Sequence, residues 1–390
     1  MDNQWPPEGF VYGIDVSRFQ DSNGDGTGDL AGLATRLDHV AALGASWVWL
    51  LPGLPGLHTG DGRDVHDHES VDPRLGTLDD LRAVIEGCHR RGLRVMTDLT
   101  APDRGRDAGD AGDSGDESFD ELARIASVWL ERGIDGLRVD AAAPSASATA
   151  GSGDSVAVRE RFYARLRARL SAARPDVVLV AGADAPLHEL ALLTSRDRVD
   201  AVVDFTLNTA LANALESEDV APLREALSEL DRSVQASARL NIGHNAVDDA
   251  RRFRMARSLL FALPGVPLLM SGDELGITDD PDSRGPVPRR PHMPWRAVHN
   301  QGADTSSHLV LTRRVARLRA RARAASNPAR LRTIPHSPGV LALSIDGCLT
   351  LHNLSAEPAE VFEAYGAEPL LYERWNGHRL GPYGFAWFRT

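Results

Sequence analysis

The chain has 390 residues, 42% of them hydrophobic, enough for a large core and too much for a small stapled module. It carries 43 basic side chains, all arginine, against 55 acidic ones. The resulting net charge of -12 excludes nucleic acid as a natural partner.

Cys88 and Cys348 lie far apart and form no metal-ligand spacing, so a reduced, cytoplasmic setting is expected. Residues 1–10 contain no basic start followed by an apolar run, and so read as no secretory leader. No apolar run approaches the roughly 18 to 20 residues that span a bilayer, so no membrane is expected as a partner.

Taken in order, short apolar runs alternate with amphipathic stretches. Strands are predicted at residues 11–14, 46–51, 94–99, 136–140, 177–181, 199–205, 239–243 and 266–270. Helices are predicted between them at 30–43, 78–91, 118–132, 156–173, 187–193, within 207–234 and at 250–263, with a further one at 308–325. Eight strand–helix units predict an α/β fold with a closed (β/α)8 barrel over residues 1–329. After residue 330 the pattern changes to short strands between turns, at 340–345, 348–354, 360–363, 369–372 and 385–388. This predicts a small C-terminal antiparallel β domain over 330–390. Residues 102–117, rich in Asp, Gly and Ser, and 142–154, rich in Ala, Ser and Gly, read as solvated loops.

The run Gly133-Ile134-Asp135-Gly136-Leu137-Arg138-Val139-Asp140 reads as a helix end, a glycine turn and a short strand. Arg138 and Asp140 share one strand face at its C-terminal end, where barrel chemistry sits. A neighbouring arginine keeps a carboxylate ionised, as a carboxylate nucleophile requires. The same pair would also serve as a structural ion pair.

Asp21, Asn23, Asp25 and Asp29 place oxygen donors at alternating positions among glycines. The loop begins like an EF-hand but has Gly32 at the twelfth position and no preceding helix. Its hard oxygens suit Ca2+, with the Thr27 carbonyl as a fifth donor. An Asx-turn loop holding no metal is the alternative. His66 and His68 read as solvent-exposed or hydrogen-bonded rather than metal-binding, and His89 as a surface residue. The arginines from 313 to 323 read as a solvated face or an ion-pair network.

Longer motifs carry a family resemblance. The run from Ser17 to Leu30, Trp49-Leu50-Leu51-Pro52, Gly62-Arg63-Asp64-Val65 and Val71-Asp72-Pro73 with Gly76-Thr77 resemble the trehalose synthase and α-glucosidase branch of the α-amylase family. So do the 133–140 strand, Leu263-Pro264-Gly265-Val266-Pro267 with Ser271-Gly272-Asp273-Glu274, Met293-Pro294-Trp295 and the segment 380–389. The resemblance implies a barrel enzyme of carbohydrate metabolism, acting on α-glucosides with retention, and a structural calcium near the first strand. It implies an α-glucoside or oligosaccharide ligand. The family's excursion domain after the third strand is largely missing.

Retaining chemistry needs a nucleophilic carboxylate and a second carboxylic acid. By resemblance Asp140 is the nucleophile, Arg138 its arginine, and Asp64 a sugar-binding acid. Arg63 replaces the sugar-stacking tyrosine. Asp98 remains of its segment, whose Asn-His pair has become Pro102-Asp103. Gly182, or Ala183 if shifted by one, stands where the acid/base glutamate belongs. His244 survives, while Asn245 replaces the third acid. Loss of a general acid costs about 10² to 10⁴-fold in rate. Asp184 lies on the same strand side as Gly182 and would stand in for the glutamate, or cap the following helix. The resulting expectation is a catalytically impaired pseudo-glycosidase that binds sugar or partners another protein. An active α-glucosidase or trehalose synthase-type enzyme using Asp184, Asp103 or His244 is the first alternative. A purely structural scaffold is the second.

Overall fold

The computed structural model describes residues 5, 7–51, 55–59, 64–100, 114–140, 152–182, 192–195, 197–203, 205–233, 239–242, 249–277, 291–325, 332–334, 336–345, 347–361 and 368–390. The chain forms two compact units, one of residues 1–5, 12–41 and 46–203, the other of 6–11, 42–45 and 204–390.

The first unit is built on parallel strands. β1 (Val11–Asp15) leads into a short α1 (Val16–Phe19), then α2 (Leu30–Thr35) and α3 (Leu37–Leu43). β2 (Trp47–Leu51) is followed by an antiparallel hairpin, β3 (Pro55–Thr59) with β4 (Asp64–Val71), and by α4 (Leu78–Arg90). Then come β5 (Arg94–Thr100), α5 (Ser114–Glu131), β6 (Gly136–Asp140), α6 (Ser152–Ala173), β7 (Val178–Gly182) and β8 (Ala201–Val203). β2, β5, β6, β7 and β8 pair side by side in parallel. Val178 to Gly182 are all buried, the signature of a strand covered on both faces. The predicted helix 30–43 is two helices, divided at Arg36. The hairpin was not foreseen, because its Gly-, His- and Asp-rich sequence lacks apolar alternation. Of the predicted helix at 187–193, only residues 192 and 193 lie within the described residues.

One buried carboxylate organises the lower end of this sheet. Asp135, 2% exposed at its side chain, accepts from Arg94 Nη1 at 2.8 Å, the Val95 amide at 2.9 Å, Arg174 Nη2 at 3.0 Å and, on its Oδ2, faces His89 Nε2 at 2.8 Å. It therefore joins α4, β5 and the end of α6 to the entry of β6. His89, expected as a surface residue, is partly exposed and also a structural partner. Gly133 makes the approach, with φ at +102°, a conformation that favours glycine. Burial works to raise the Asp135 pKa, but the bonds from His89, Val95 and Arg94 prevail and hold it below the ordinary value.

The second unit carries α7 (Phe205–Ser217), α8 (Ala221–Ser233), β9 (Arg239–Ile242), α9 (Ala250–Ala262), β10 (Val266–Met270), α10 (Trp295–Ala303) and α11 (His308–Ala325). β9 and β10 pair in parallel. The C-terminal sheet runs β11 (Arg332–Ile334), β12 (Val340–Ile345), β13 (Cys348–Asn353), β16 (Arg379–Arg389) and β14 (Ala359–Glu360), with β15 (Pro369–Trp375) also on β16. β16 is far longer than the predicted 385–388, because Gly381, Pro382 and Gly384 disguise its first half. α9 seats on this sheet through a buried relay. Trp387 Nε1 donates to Ser258 Oγ at 2.8 Å, which leaves the Ser258 hydroxyl to donate to His352 Nε2 at 3.0 Å. His352 is fully buried, and burial pushes its pKa down to about 3, so it is neutral. The arginine cluster on α11 is not wholly a solvated face: Arg319 is 3% exposed and donates to the carbonyls of Phe261, Leu263 and Gly265.

Asp135→Asn removes the charge and one acceptor while leaving two arginines beside it. We expect a loss of about 3 kcal/mol of unfolding free energy at pH 7, toward the lower end for a broken buried pair because the partners are partly exposed. A lowered carboxylate pKa stabilises above its unfolded value near 4, and that stability disappears as the pH falls through the folded value. The acid limb of the wild-type stability curve below about pH 4 should therefore flatten in the variant, as read by urea melts at stepped pH.

Candidate functional site

The strand C-termini of the first unit gather the described candidates. Asp98 on β5 is in register with Arg138 on β6, and Thr100 with Asp140. On the other side Arg138 pairs with Val180 and Asp140 with Gly182 of β7. Strands in a sheet lie about 4.8 Å apart, so Asp98, Arg138, Asp140 and Gly182 occupy one small region of the sheet's upper edge.

Arg138 and Asp98 meet directly, Nη1 to Oδ1 at 3.3 Å, with side chains 15% and 19% exposed. The same Asp98 oxygen accepts from Trp49 Nε1 at 3.0 Å. The Trp49 ring in turn lies under the guanidinium, 5.5 Å from its carbon to the ring centroid. Three strands therefore fix one cation: a carboxylate from β5, an indole from β2 and the arginine from β6. The sequence paired Arg138 with Asp140; among the described side chains its carboxylate partner is Asp98. Trp49 was quoted above only as part of a motif. The signal for its role is its place on the strand next to β5, with an indole N–H that a buried tryptophan must satisfy.

Asp140 ends β6 at the predicted position, and its backbone is described while its side chain is not. Asp64 opens β4 on the same terms. Arg63, Asp103, Asp184, His244 and Asn245 lie outside the described residues. So do residues 102–113 and 142–151 of the two predicted loops.

The oxygen-rich loop is fully described. Asp21 Oδ1 accepts from the amides of Asn23 at 3.1 Å and Gly24 at 2.6 Å, and Oδ2 from Gly26 at 2.8 Å. Asn23 Oδ1 accepts from the Asp25 amide and Asp25 Oδ1 from the Thr27 amide. The Gly26 and Gly24 amides hold the Asp21 carboxyl below the usual range. Asp29 is placed differently. It caps α2 through the Gly32 amide at 2.6 Å and receives the Ser22 amide and hydroxyl. Side chains at Gly28 and Gly32 would collide with the carbonyls of Val16 and Gln20, which explains both glycines. Among the described residues no group of three or more His, Cys, Asp and Glu side chains is arranged to hold a metal ion.

Comparison with known proteins agrees with this geometry. Residues 13–108 match the catalytic domain of the alpha-amylase family. The chain is 43% identical over 98 residues to an alpha-glucosidase of Candida albicans, covering 25% of this chain and 17% of that one. It is 24% identical over 411 residues to the trehalose synthase/amylase TreS of Mycolicibacterium smegmatis, covering 77% of this chain and 68% of the relative. The match thus spans less than a fifth of the alpha-glucosidase. Among solved structures, an alpha-amylase from H. orenii superposes with a TM-score of 0.76 at 19% identity, over 98% of this chain and 99% of that one. An alpha-glucosyl transfer enzyme, XgtA, gives 0.77 at 21% identity over 99% of each. The fold is accordingly the TIM barrel of the amylases with a small C-terminal β domain. Among the described residues no helix is long and apolar enough to cross a membrane.

The strand-end cation makes a local prediction. Asp98→Asn should cost about 1 to 3 kcal/mol, less than for a fully buried pair because both side chains keep some solvent. Trp49→Phe, which removes only the indole donor, should cost about 1 kcal/mol. A double-mutant cycle by chemical denaturation should give a non-zero coupling, because Asp98→Asn removes the charge that strengthens the very hydrogen bond Trp49→Phe deletes.

Proposed function

We propose, for a chain that carries an alpha-amylase family catalytic domain, that it binds α-glucosides at the strand C-termini and turns them over poorly or not at all. The observation that carries this reading is the register of Asp140 with Gly182. Retaining glycosidases hold two carboxyl groups about 5 to 5.5 Å apart. In-register positions on adjacent strands lie about 4.8 Å apart, so the neighbour of Asp140 is a natural origin for the second group. Here that neighbour has no side chain. Asp140 retains the nucleophile's place, and Asp98 and Arg138 supply a charged, hydrogen-bonding floor suited to sugar hydroxyls. With no acid to protonate the leaving oxygen, a bound glucoside is held without rapid cleavage. Arg63, Asp64, Asp103, His244 and Asn245 are assigned to the sugar-binding rim by their sequence positions. A protein partner would be an active relative that this chain assists.

The runner-up is a working enzyme in which Asp184, Asp103 or His244 replaces the missing acid. Calorimetric titration with maltose, trehalose and short maltodextrins, beside an assay for released glucose, separates the two. The proposal expects saturable heat with no product beyond that of an Asp140→Ala variant. Product that disappears in Asp140→Ala would establish the working enzyme instead.

We also infer that the 21–29 loop binds calcium. The donor set fits a hard cation: two carboxylates and an amide at alternate positions of a loop, with Gly24 and Gly26 at φ of +84° and +89° allowing the tight wrap. Asp21, Asn23, Asp25 and the Thr27 carbonyl would face the ion. Asp29, engaged by Ser22 and Gly32, would brace the loop from behind. Bound calcium would supply structural order there, not chemistry. Terbium luminescence should report a saturable site that calcium displaces. Asp21→Asn with Asp25→Asn should weaken it by about tenfold or more, since ligand charge sets affinity in such loops. Absence of any saturable signal in the wild type would dispose of the site.

A further inference from the structure

The C-terminal sheet ends in an edge whose outward side chains follow a self-complementary order. β15 pairs with β16 and, among the described residues, with no other strand. Its residues alternate in exposure. Leu371 is 4% exposed, and Glu373 is tied to α9 by Arg254, whose Nε donates to it at 2.8 Å. The positions between them turn outward: Glu368, Leu370, Tyr372 and Arg374 are all exposed. Leu370 and Tyr372 are two of the four large hydrophobic side chains exposed among the described residues.

The strand holds this row in place rather than inviting another strand to extend the sheet. Its ladder with β16 is irregular between Pro369 and Leu371 and again between Glu373 and Trp375. Arg374 stands at a φ of +56°, and two glycines of β16 make room for it. A Cβ at Gly384 would lie 3.1 Å from the Arg374 carbonyl oxygen, and one at Gly381 3.3 Å from the Arg374 Cβ. Bulges of this kind blunt an edge against main-chain pairing and re-aim its side chains. The Tyr372 ring meets Trp375 edge-on at 5.6 Å between centroids, and Trp375 packs against a core that includes Val340, Leu351 and Phe388. A tyrosine held this way supplies contact area with little side-chain entropy left to lose.

The order of the row matters. A two-fold axis beside Leu371 sets two such strands antiparallel, and every contact then occurs twice. Leu370 faces Tyr372 of the second copy, and Glu368 faces Arg374 of the second copy. Glu368 and Arg374 stand six residues apart, about 20 Å, one at each end of the apolar pair. Neither forms an ion pair among the described residues. Copies of a chain with a net charge of -12 repel one another, so they meet best at a patch that is locally neutral and apolar, as this one is.

We propose that the outward row of β15 docks a second copy of this chain about a two-fold axis, side chain against side chain, with an apolar centre and an ion pair at each end. So small a contact gives a weak dimer, with a Kd of about 10 to 100 µM. The surface uses none of the strand-end residues, and it stands or falls independently of the glucoside reading.

The test is sedimentation velocity of the full chain from about 1 to 300 µM, where monomer should give way to dimer. Glu368→Arg alone and Arg374→Glu alone each set like charges against each other at both ends. Each should weaken association about tenfold, although they change the net charge in opposite directions. Both substitutions in one chain recreate the two ion pairs and should recover the wild-type constant. An equal mixture of the two single variants should also dimerise about as tightly as the wild type, because each supplies the charge that the other lacks. A wild type that stays monomeric at the highest concentration overturns the proposal. So do single variants that associate like the wild type, and so does a double variant or a mixture in which association is not restored.

Discussion

The lower half of the first unit depends on satisfying one buried charge. Asp135 is almost fully removed from water, and an isolated carboxylate there would be prohibitive. Its four donors come from three elements far apart in sequence: His89 on α4, Arg94 with Val95 on β5, and Arg174 just after α6. Each can reach Asp135 only if the strands are in the observed register and the helices dock as they do. Hydrophobic burial alone would tolerate a sliding of Val- and Leu-rich strands. A charge that must meet four donors does not. The network therefore works as a register lock, a role buried ionic groups are well suited to. Arg174 extends it by donating to the carbonyls of Leu130 and Ile134, the chain ends that precede β6.

The second unit uses neutral groups to the same end. Trp387, Ser258 and His352 form a directed relay in which the indole N–H and the Ser258 hydroxyl each have a defined acceptor. Protonating His352 would require Nε2 to become a donor against a hydroxyl that already donates to it. Burial opposes charge and outweighs a hydrogen bond with Ser258 that favours it, so the imidazole stays neutral far below its usual pKa. Two residues held at positive φ, Glu218 and Tyr383, bond to each other at 2.5 Å nearby. Such backbone strain persists only where surroundings over-determine it. Here Glu218 also accepts the Ala356 amide, and Arg251 and Arg252 flank the Tyr383 ring.

Much of the architecture was legible because its signal is local. Apolar runs such as Trp47–Leu51 and Val178–Gly182 read as buried strands, and Gly133 marked the turn before β6. What escaped was carried by partners distant in sequence or by backbone alone. The β3–β4 hairpin pairs through main-chain bonds in a segment with no apolar period. His89 looked superficial because the carboxylate it faces is 46 residues away. Arg319 looked solvated because the carbonyls it reaches belong to the turn before β10. At the site, Arg138 and Asp140 were visible as a strand-end pair. The bond of Arg138 to Asp98, with Trp49 beneath it, was not, because it needs the registers of three strands at once.

That register also separates what holds the sheet together from what its upper edge presents. Asp135 precedes β6 and Asp140 ends it, five residues or about 17 Å apart along one extended segment. The first fixes the strand from below, and the second presents whatever the upper edge requires. The residue at position 182, at the top, enters no lower-end contact, since Asp135 and its donors all lie below it. Replacing Asp135 would disturb every strand position above. A site can therefore drift residue by residue while the lock keeps its neighbours within about 5 Å of one another. The Asp98–Arg138 pair shows how such drift would be contained. An arginine at the upper edge keeps a carboxylate and an indole, so its charge stays compensated whatever becomes of the residues around it.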